Sequence, residues 1–399
     1  MYPAFVTKPI IPLFILDFNK MKTSKTTGFL FLIIVSLFFL VPLLFQLVGL
    51  EFTGNFTNEQ RELAEFPQPL SSKKEIPSWI NDFEAYIDDN LAYRKFMVPL
   101  YNTLLYSLNE SSTERIVFGK NSWLYNNYDN LTNQIKGELI GNKNVLSRSV
   151  DNLLRVQNRL KQYGIPFQFY VAPNKASIYP ENLPSHIVPS AITTYDLFLE
   201  IAQNRNLNIT DIHTCLKEAK ANHSENQLYY TTDTHWNFSG AFYAYQCLSE
   251  NFDSKFRKYN LTYKTSEIKN EDYHRYFGLL ERLGTFPIVF DKGTNITPDT
   301  KVRIKFAQEN PNKKHITTGR KLSIYTNLAA KNELTALLIG DSFNGFISPY
   351  FTNKFKKVVI IPSNNGRWDT SVLSTYNPDL IIYEVLERFL IGSISQPNW

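Results

Sequence analysis

Residues 28–50 read GFLFLIIVSLFFLVPLLFQLVGL, with no charged side chain. A run of this length matches the roughly 20 apolar residues that cross a bilayer. Lys22 and Lys25 precede it and Glu51 follows, which puts the N-terminus in the cytoplasm and everything after residue 50 outside. No small-residue cleavage site follows, so an uncleaved anchor is expected at an inner (cytoplasmic) membrane, with the rest of the chain in the periplasm or on the outer face. Met21 opens MKTSKTTGFLFLIIV, an export start complete in itself, so residues 1–20 are expected to precede the natural start. Residues 51–75 are polar and broken by Pro67 and Pro69, a spacer. From Pro77 to about Leu108 the residues Trp79, Phe83, Ile87, Leu91, Phe96, Leu100 and Leu104 recur at helical spacing. That helix is expected to pack on the body that follows.

The later pattern alternates between periods. Residues 115–125 predict a hairpin turning at Gly119-Lys120-Asn121-Ser122. Residues 143–163 predict an amphipathic helix ended by Gly164, and 165–172 (IPFQFYVA) a strand that runs into Pro173-Asn174-Lys175. Residues 192–205, 213–221 and 239–252 read as helices, the last capped by Asn237 or Ser239. Residues 255–325 show little period and are expected to be irregular with short strands. Strands return at 334–339, 357–361 and 379–384. Strand–helix alternation implies an α/β fold with a mainly parallel sheet flanked by helices. The division expected is 1–27 cytoplasmic, 28–50 anchor, 51–110 spacer and helix, and 111–399 catalytic domain.

Composition narrows the function classes. Three of the five excess positive charges lie in residues 1–50, where Lys8, Lys20, Lys22 and Lys25 face only Asp17. The remainder is close to neutral, so no nucleic-acid partner is expected. The two cysteines, Cys215 and Cys247, form no zinc pattern, and outside the cytoplasm they are a possible disulfide. No second histidine lies near His235 at ligand spacing, so no metal is expected, and no other cofactor is expected.

Leu337-Leu338-Ile339-Gly340-Asp341-Ser342 is a buried-strand pattern that ends in a possible nucleophile, with Gly340 read as permitting a sharp turn. Open α/β sheets keep their sites at the carboxyl ends of strands. A serine needs a base, and the base needs an orienting acid. Asp233-Thr234-His235, in an aromatic loop with Tyr229, Tyr230 and Trp236, offers both. Asp341 reads as turn geometry. Asp211 and His213 share the spacing and are the decoy pair. Asn174 is expected to lend an oxyanion donor from a neighbouring strand, with Lys175, Trp236 and Arg388 as further substrate-binding candidates. Glu384, Glu387 and Arg388 read chiefly as a structural ion-pair group.

Together FPQP, DDNLAYR, FGKNSWLY, PNKASIYPENLP, TDTHWNFSGA, GDSF and EVLER resemble, in order over residues 55–390, the SGNH-hydrolase-like domain of the alginate O-acetyltransferases AlgJ and AlgX. TDTHWN and GDSF are the most specific of these stretches. The resemblance implies an extracytoplasmic enzyme that moves acetyl groups onto polysaccharide hydroxyls, with Ser342 as nucleophile, His235 as base and Asp233 as acid. It implies an acetyl donor in a multi-span membrane-bound O-acyltransferase. Where relatives often carry Gly-Asp-Leu, this chain reads Gly278-Leu279-Leu280, a stretch expected to shape the acceptor groove. Rival readings are a carbohydrate esterase or deacetylase with the same triad, and a non-catalytic polysaccharide-binding assembly protein.

Overall fold

The computed structural model describes residues 28–33, 36–37, 40, 63–70, 72–90, 94–287, 290–299, 303–309, 321–363, 370–392 and 394. The chain divides into two units, residues 1–55 with 61–97, and residues 56–60 with 98–399. Most of the expected anchor lies outside the described residues. Among the described residues no helix is long and apolar enough to cross a membrane.

In the first unit the described part of the expected spacer is not free. Residues 63–70 run along helix α1 (Ile76–Asn90). The Trp79 indole N–H donates to the Gln68 carbonyl at 2.9 Å, and Asn90 and Asp89 hold the main chain of Ala64. The Phe66 ring meets Phe83 and Tyr86 edge-on at 6.0 and 5.2 Å. The single helix read from the spacing is two, since a second helix, α2, begins at Arg94 and ends at Ser107.

The second unit is built on one sheet of seven strands. In chain order its strands, with those of two small ribbons, are β1 (Ile116–Phe118), β2 (Leu124–Asn126), β3 (Phe167–Ala172), β4 (Ile209–Thr210), β5 (Ile268–Arg275), β6 (Asp291–Pro298), β7 (Ile304–Glu309), β8 (Leu322–Asn327), β9 (Thr335–Gly340), β10 (Lys357–Pro362) and β11 (Leu380–Leu386). The large sheet runs β4-β3-β11-β9-β10-β8-β7. The first five strands are mutually parallel, but β8 lies antiparallel to β10 and β7 antiparallel to β8. The sheet is therefore mixed, with an antiparallel edge beside the expected parallel core.

β3, β9 and β11 are buried at every position, which is why they read as continuous apolar runs. Successive side chains feed opposite cores. Leu337 and Ile339 join Phe169 and Ile381 under helices α3 (Lys143–Gln162) and α4 (Thr194–Asn204). Ala336 and Leu338 join Tyr170 and Ile382 under α5 (Ile212–Asn222), α6 (Phe238–Glu250) and α7 (Asn344–Lys354). Asn237 caps α6, accepting from the Gly240 N–H at 2.9 Å. Cys215 on α5 and Cys247 on α6 form a disulfide, with their Cα atoms 6.4 Å apart.

The hairpin β1–β2 forms as expected. The stretch 255–325 is more regular than its sequence suggests, because β5 and β6 pair antiparallel over eight positions, from Ile268 with Pro298 to Arg275 with Asp291. β5 is IKNEDYHR, mostly exposed. With little of it buried, it shows no apolar alternation.

Candidate active site

Ser342 follows β9, in the turn that opens α7, and is exposed. Three interactions shape that turn. The Asp341 carboxylate accepts the Phe343 N–H at 2.9 Å, the Asp341 N–H donates to Glu384 at 2.8 Å, and the Gly345 N–H closes on the Ser342 carbonyl at 3.1 Å. Asp341 is turn geometry, as its sequence position implied. Gly340 does not supply a left-handed turn, since it is absent from the positive-φ glycines. It is required for close approach, because a Cβ there would collide with the buried Glu384 carboxyl and with the Asn344 amide.

The Asp233–His235 loop comes from before α6 and meets this turn. His235 Nε2 lies 2.7 Å from Ser342 Oγ, and Nδ1 lies 3.0 Å from Asp233 Oδ2. A carboxylate only accepts, so Nδ1 carries the proton and Nε2 is free to take the one on Ser342. Asp233 is 3% exposed. Burial opposes its charge, but the His235 contact, the Thr234 N–H and Lys175 outweigh it and hold its pKa below the ordinary carboxylate value. Asp233 is thus ionised and aimed. The His235 ring rests against Phe343 at 4.9 Å and Phe346 at 5.2 Å. Among the described residues the Ser342 main-chain N–H meets no protein acceptor, which leaves it for a developing oxyanion.

The other substrate-binding candidates fall elsewhere. Trp236 is fully buried, and its indole N–H donates to the Phe343 carbonyl at 3.3 Å, tying the histidine loop to the serine turn. Lys175 is 3% exposed and donates to the carbonyls of Tyr230, Thr231 and Asp233 at 3.1, 3.0 and 2.6 Å, so it holds main chain instead of substrate. Asn174 lies just past the end of β3, and β11 stands between β3 and β9, so the strand is not a direct neighbour of the serine's. Its N–H donates to Glu387 at 2.7 Å and its Oδ1 accepts from Arg388 at 3.4 Å. Arg388 also sits 2.9 Å from Asp129. Burial lowers the Arg388 pKa against the opposing charges of Asp341, Asp129 and Glu384.

The decoy pair is structural. Asp211 caps α5 through Thr214 and accepts from the Tyr195 hydroxyl at 2.7 Å. His213 stacks on Tyr195 with ring centres 3.4 Å apart and pairs with Glu387 at 3.1 Å. These two, with Ser177 and Asn174, line a cavity of about 380 Å³ that includes neither Ser342 nor His235. Among the described residues no cluster of three or more His, Cys, Asp or Glu could hold a metal ion.

Three further residues support the site, of which Asp291 carried no sequence signal, while Gly278 and Glu384 were read for other roles. Asp291 on β6 accepts the Thr232 N–H and hydroxyl at 2.7 and 3.0 Å, fixing the loop from below. Gly278 (φ +69°) passes so close to Asp233 that a Cβ would strike its carboxylate. The Gly278-Leu279-Leu280 stretch thus backs the acid, and Leu279 and Leu280 are buried with Ile116 and Leu124. Glu384 is 1% exposed. Burial and the adjacent Asp341 push its pKa well above the usual carboxyl value. Between the ordinary and the raised value the folded state holds a proton that the unfolded chain has released, so stability falls as pH rises through that window. Glu384→Gln is expected to remove this slope and to be the more stable protein at about pH 8, measured by urea unfolding at several pH values.

A sheet that delivers an exposed serine to an ionised Asp–His pair gives this α/β domain the geometry of a serine triad. A family described as the SGNH hydrolase-like domain, acetyltransferase AlgX, matches residues 116–356, more than half of the chain. The chain belongs to that family. It is 28% identical over 161 residues to a "Probable alginate O-acetylase AlgJ" of Pseudomonas aeruginosa, covering 40% of this chain and 38% of that one. It is 26% identical over 161 residues to the protein of the same description in Azotobacter vinelandii, covering 40% and 39%. The chain thus spans about two fifths of the length of these curated relatives. Among solved structures, Bacillus cereus PatB1 with a sulfonyl adduct aligns with a TM-score of 0.51 at 16% identity, over 70% of this chain and 98% of that one, a likeness of fold. The O-acetyltransferase domain of Pseudomonas putida AlgJ aligns at 0.43 and 18%, over 69% and 92%.

Proposed function

We propose that the protein is a membrane-anchored, outward-facing O-acetyltransferase that acetylates hydroxyls of an exopolysaccharide of the alginate kind through an acyl-serine. The observation that carries this reading is the Ser342–His235–Asp233 relay, with contacts of 2.7 and 3.0 Å. In the first half-reaction Ser342 Oγ attacks the acetyl carbonyl of the donor while His235 Nε2 takes the hydroxyl proton. The oxyanion forms against the Ser342 N–H. Its collapse expels the donor's group, which leaves with the proton from His235. In the second half a sugar hydroxyl gives its proton to His235 and attacks the acyl-serine, and Ser342 departs with that proton restored. Asp233 holds the imidazole tautomer and stabilises its cation throughout.

Two features favour a polymer and a protein donor over a small enclosed substrate. Ser342 is exposed, and residues 28–50 carry the composition of a membrane anchor. The acetyl donor is then a multi-span membrane-bound O-acyltransferase, as the family resemblance implies. The chemistry calls for no bound cofactor. Incubating the purified protein with an activated acetyl ester, with and without an oligosaccharide acceptor, tests the reading. Acetylated sugar should exceed free acetate when acceptor is present. Release of acetate alone, unchanged by acceptor, would mark an esterase.

A further inference from the structure

Four consecutive carbonyls of the catalytic loop, those of residues 230–233, turn toward partners outside it. The Leu279 N–H takes that of Thr232 at 3.1 Å. The other three, of Tyr230, Thr231 and Asp233, converge on Lys175 Nζ. An ammonium has three donors and three carbonyls receive them. The side chain reaches this point from beyond the carboxyl end of β3, and its Nζ lies over the rings of Trp123 and Tyr125, 5.3 and 5.1 Å from their centres. Without a cation, three carbonyl dipoles that point at one buried spot repel each other, and those of Tyr230 and Asp233 lose their partner, while that of Thr231 keeps the Leu124 N–H at 2.9 Å. The loop would open, and it is this loop that carries Asp233 and His235.

We propose that Lys175 is the positioning residue of the catalytic loop: its buried ammonium gathers three main-chain carbonyls and so sets the Asp233–His235 geometry on which turnover depends. The proposal rests on the acyl-serine reading given above. It acts at one remove, since Lys175 touches neither Ser342 nor the His235 ring. The charged and titratable groups that face it are the Asp233 carboxylate on the loop and Asp291 on β6; the rings on β2 and beside it are uncharged. Burial draws the Lys175 pKa down to about 7 against those two carboxylates, and the three carbonyls favour the charged form. Loss of the ammonium removes one of three donors.

The test is the rate at which a fluorophosphonate labels Ser342, measured per folded molecule in Lys175→Met and Lys175→Gln. Misplacement of a catalytic group by about 1 Å costs about a hundredfold. Lys175→Met, which fills the slot and donates nothing, is expected to label about a hundredfold more slowly. Lys175→Gln, with two donors, should fall between it and the unaltered protein. KM for an acetyl ester should stay within about twofold while kcat falls. If Lys175 only fills space, Lys175→Met folds and labels at the unaltered rate, and that result overturns the proposal. Should neither variant fold, the unaltered protein serves: its labelling rate on the alkaline side should fall in step with the Lys175 ¹⁵Nζ ammonium signal. Labelling undiminished after that signal is lost overturns the proposal as well. An unaltered protein that never labels, with Ser342→Ala as the control, would instead remove the acyl-serine reading itself.

Discussion

Asp233→Asn is expected to lower acetyl turnover by about 10⁴-fold while leaving the fold intact. The carboxylate accepts the Nδ1 proton of His235 at 3.0 Å and receives the Thr234 N–H on its other oxygen at 2.6 Å. An amide in the same place can satisfy one of these contacts but not both. If its oxygen keeps the Thr234 N–H, its NH₂ faces His235 and drives the imidazole into the other tautomer. Nε2 then carries a proton and cannot take the one on Ser342. The loop itself should stay in place, because Lys175, Asp291 and Leu279 hold it through main-chain atoms and the Thr232 hydroxyl. Single-turnover kinetics with an acetyl ester would separate the loss, expected wholly in the chemical step, from binding. A loss below about tenfold would mean that Asp233 does not orient the base.

Gly340→Ala is expected to destabilise the protein by about 3 kcal/mol and to remove most activity in what remains folded. The added methyl would press on the Glu384 carboxyl and the Asn344 amide, 1% exposed each. Neither can retreat. Glu384 is holding the Asp341 N–H, and Asn344 is the first residue of α7, with its Oδ1 3.5 Å from the Tyr170 hydroxyl. The strand end or the turn must therefore move, and Ser342 is two residues away. Urea unfolding would measure the stability change. Fluorophosphonate labelling would report the displaced serine.

How much of this was legible in the sequence depended on how local each cause was. The serine turn and the acid–histidine loop each occupy two or three adjacent residues beside a strongly patterned strand or helix, so motif and context were read together. Asp211 and His213 have the same spacing as Asp233 and His235. What separates them is the third partner, Ser342 for one histidine and Glu387 for the other, and that lies across the sheet. Lys175, Trp236 and Asn174 were given roles near substrate because of their residue types at a strand end and in a loop. Burial decided otherwise for all three, and the partners of Lys175 are 55 to 58 residues along the chain. Glu384 is an acid inside a fully buried strand, where only the neighbouring Gly340 and Asp341 explain it. The antiparallel edge and the β5–β6 ribbon escaped because their strands are polar or only partly buried and show little apolar alternation.

The most direct test of the account is intact-mass and peptide mass spectrometry of the protein after brief exposure to an activated acetyl ester without acceptor. The account predicts a mass gain of one acetyl group, carried on the peptide that contains Ser342, absent in Ser342→Ala and discharged when a sugar acceptor is added. A protein that transfers acetyl while Ser342 stays unmodified, or one whose acetyl group sits on another residue, would contradict it.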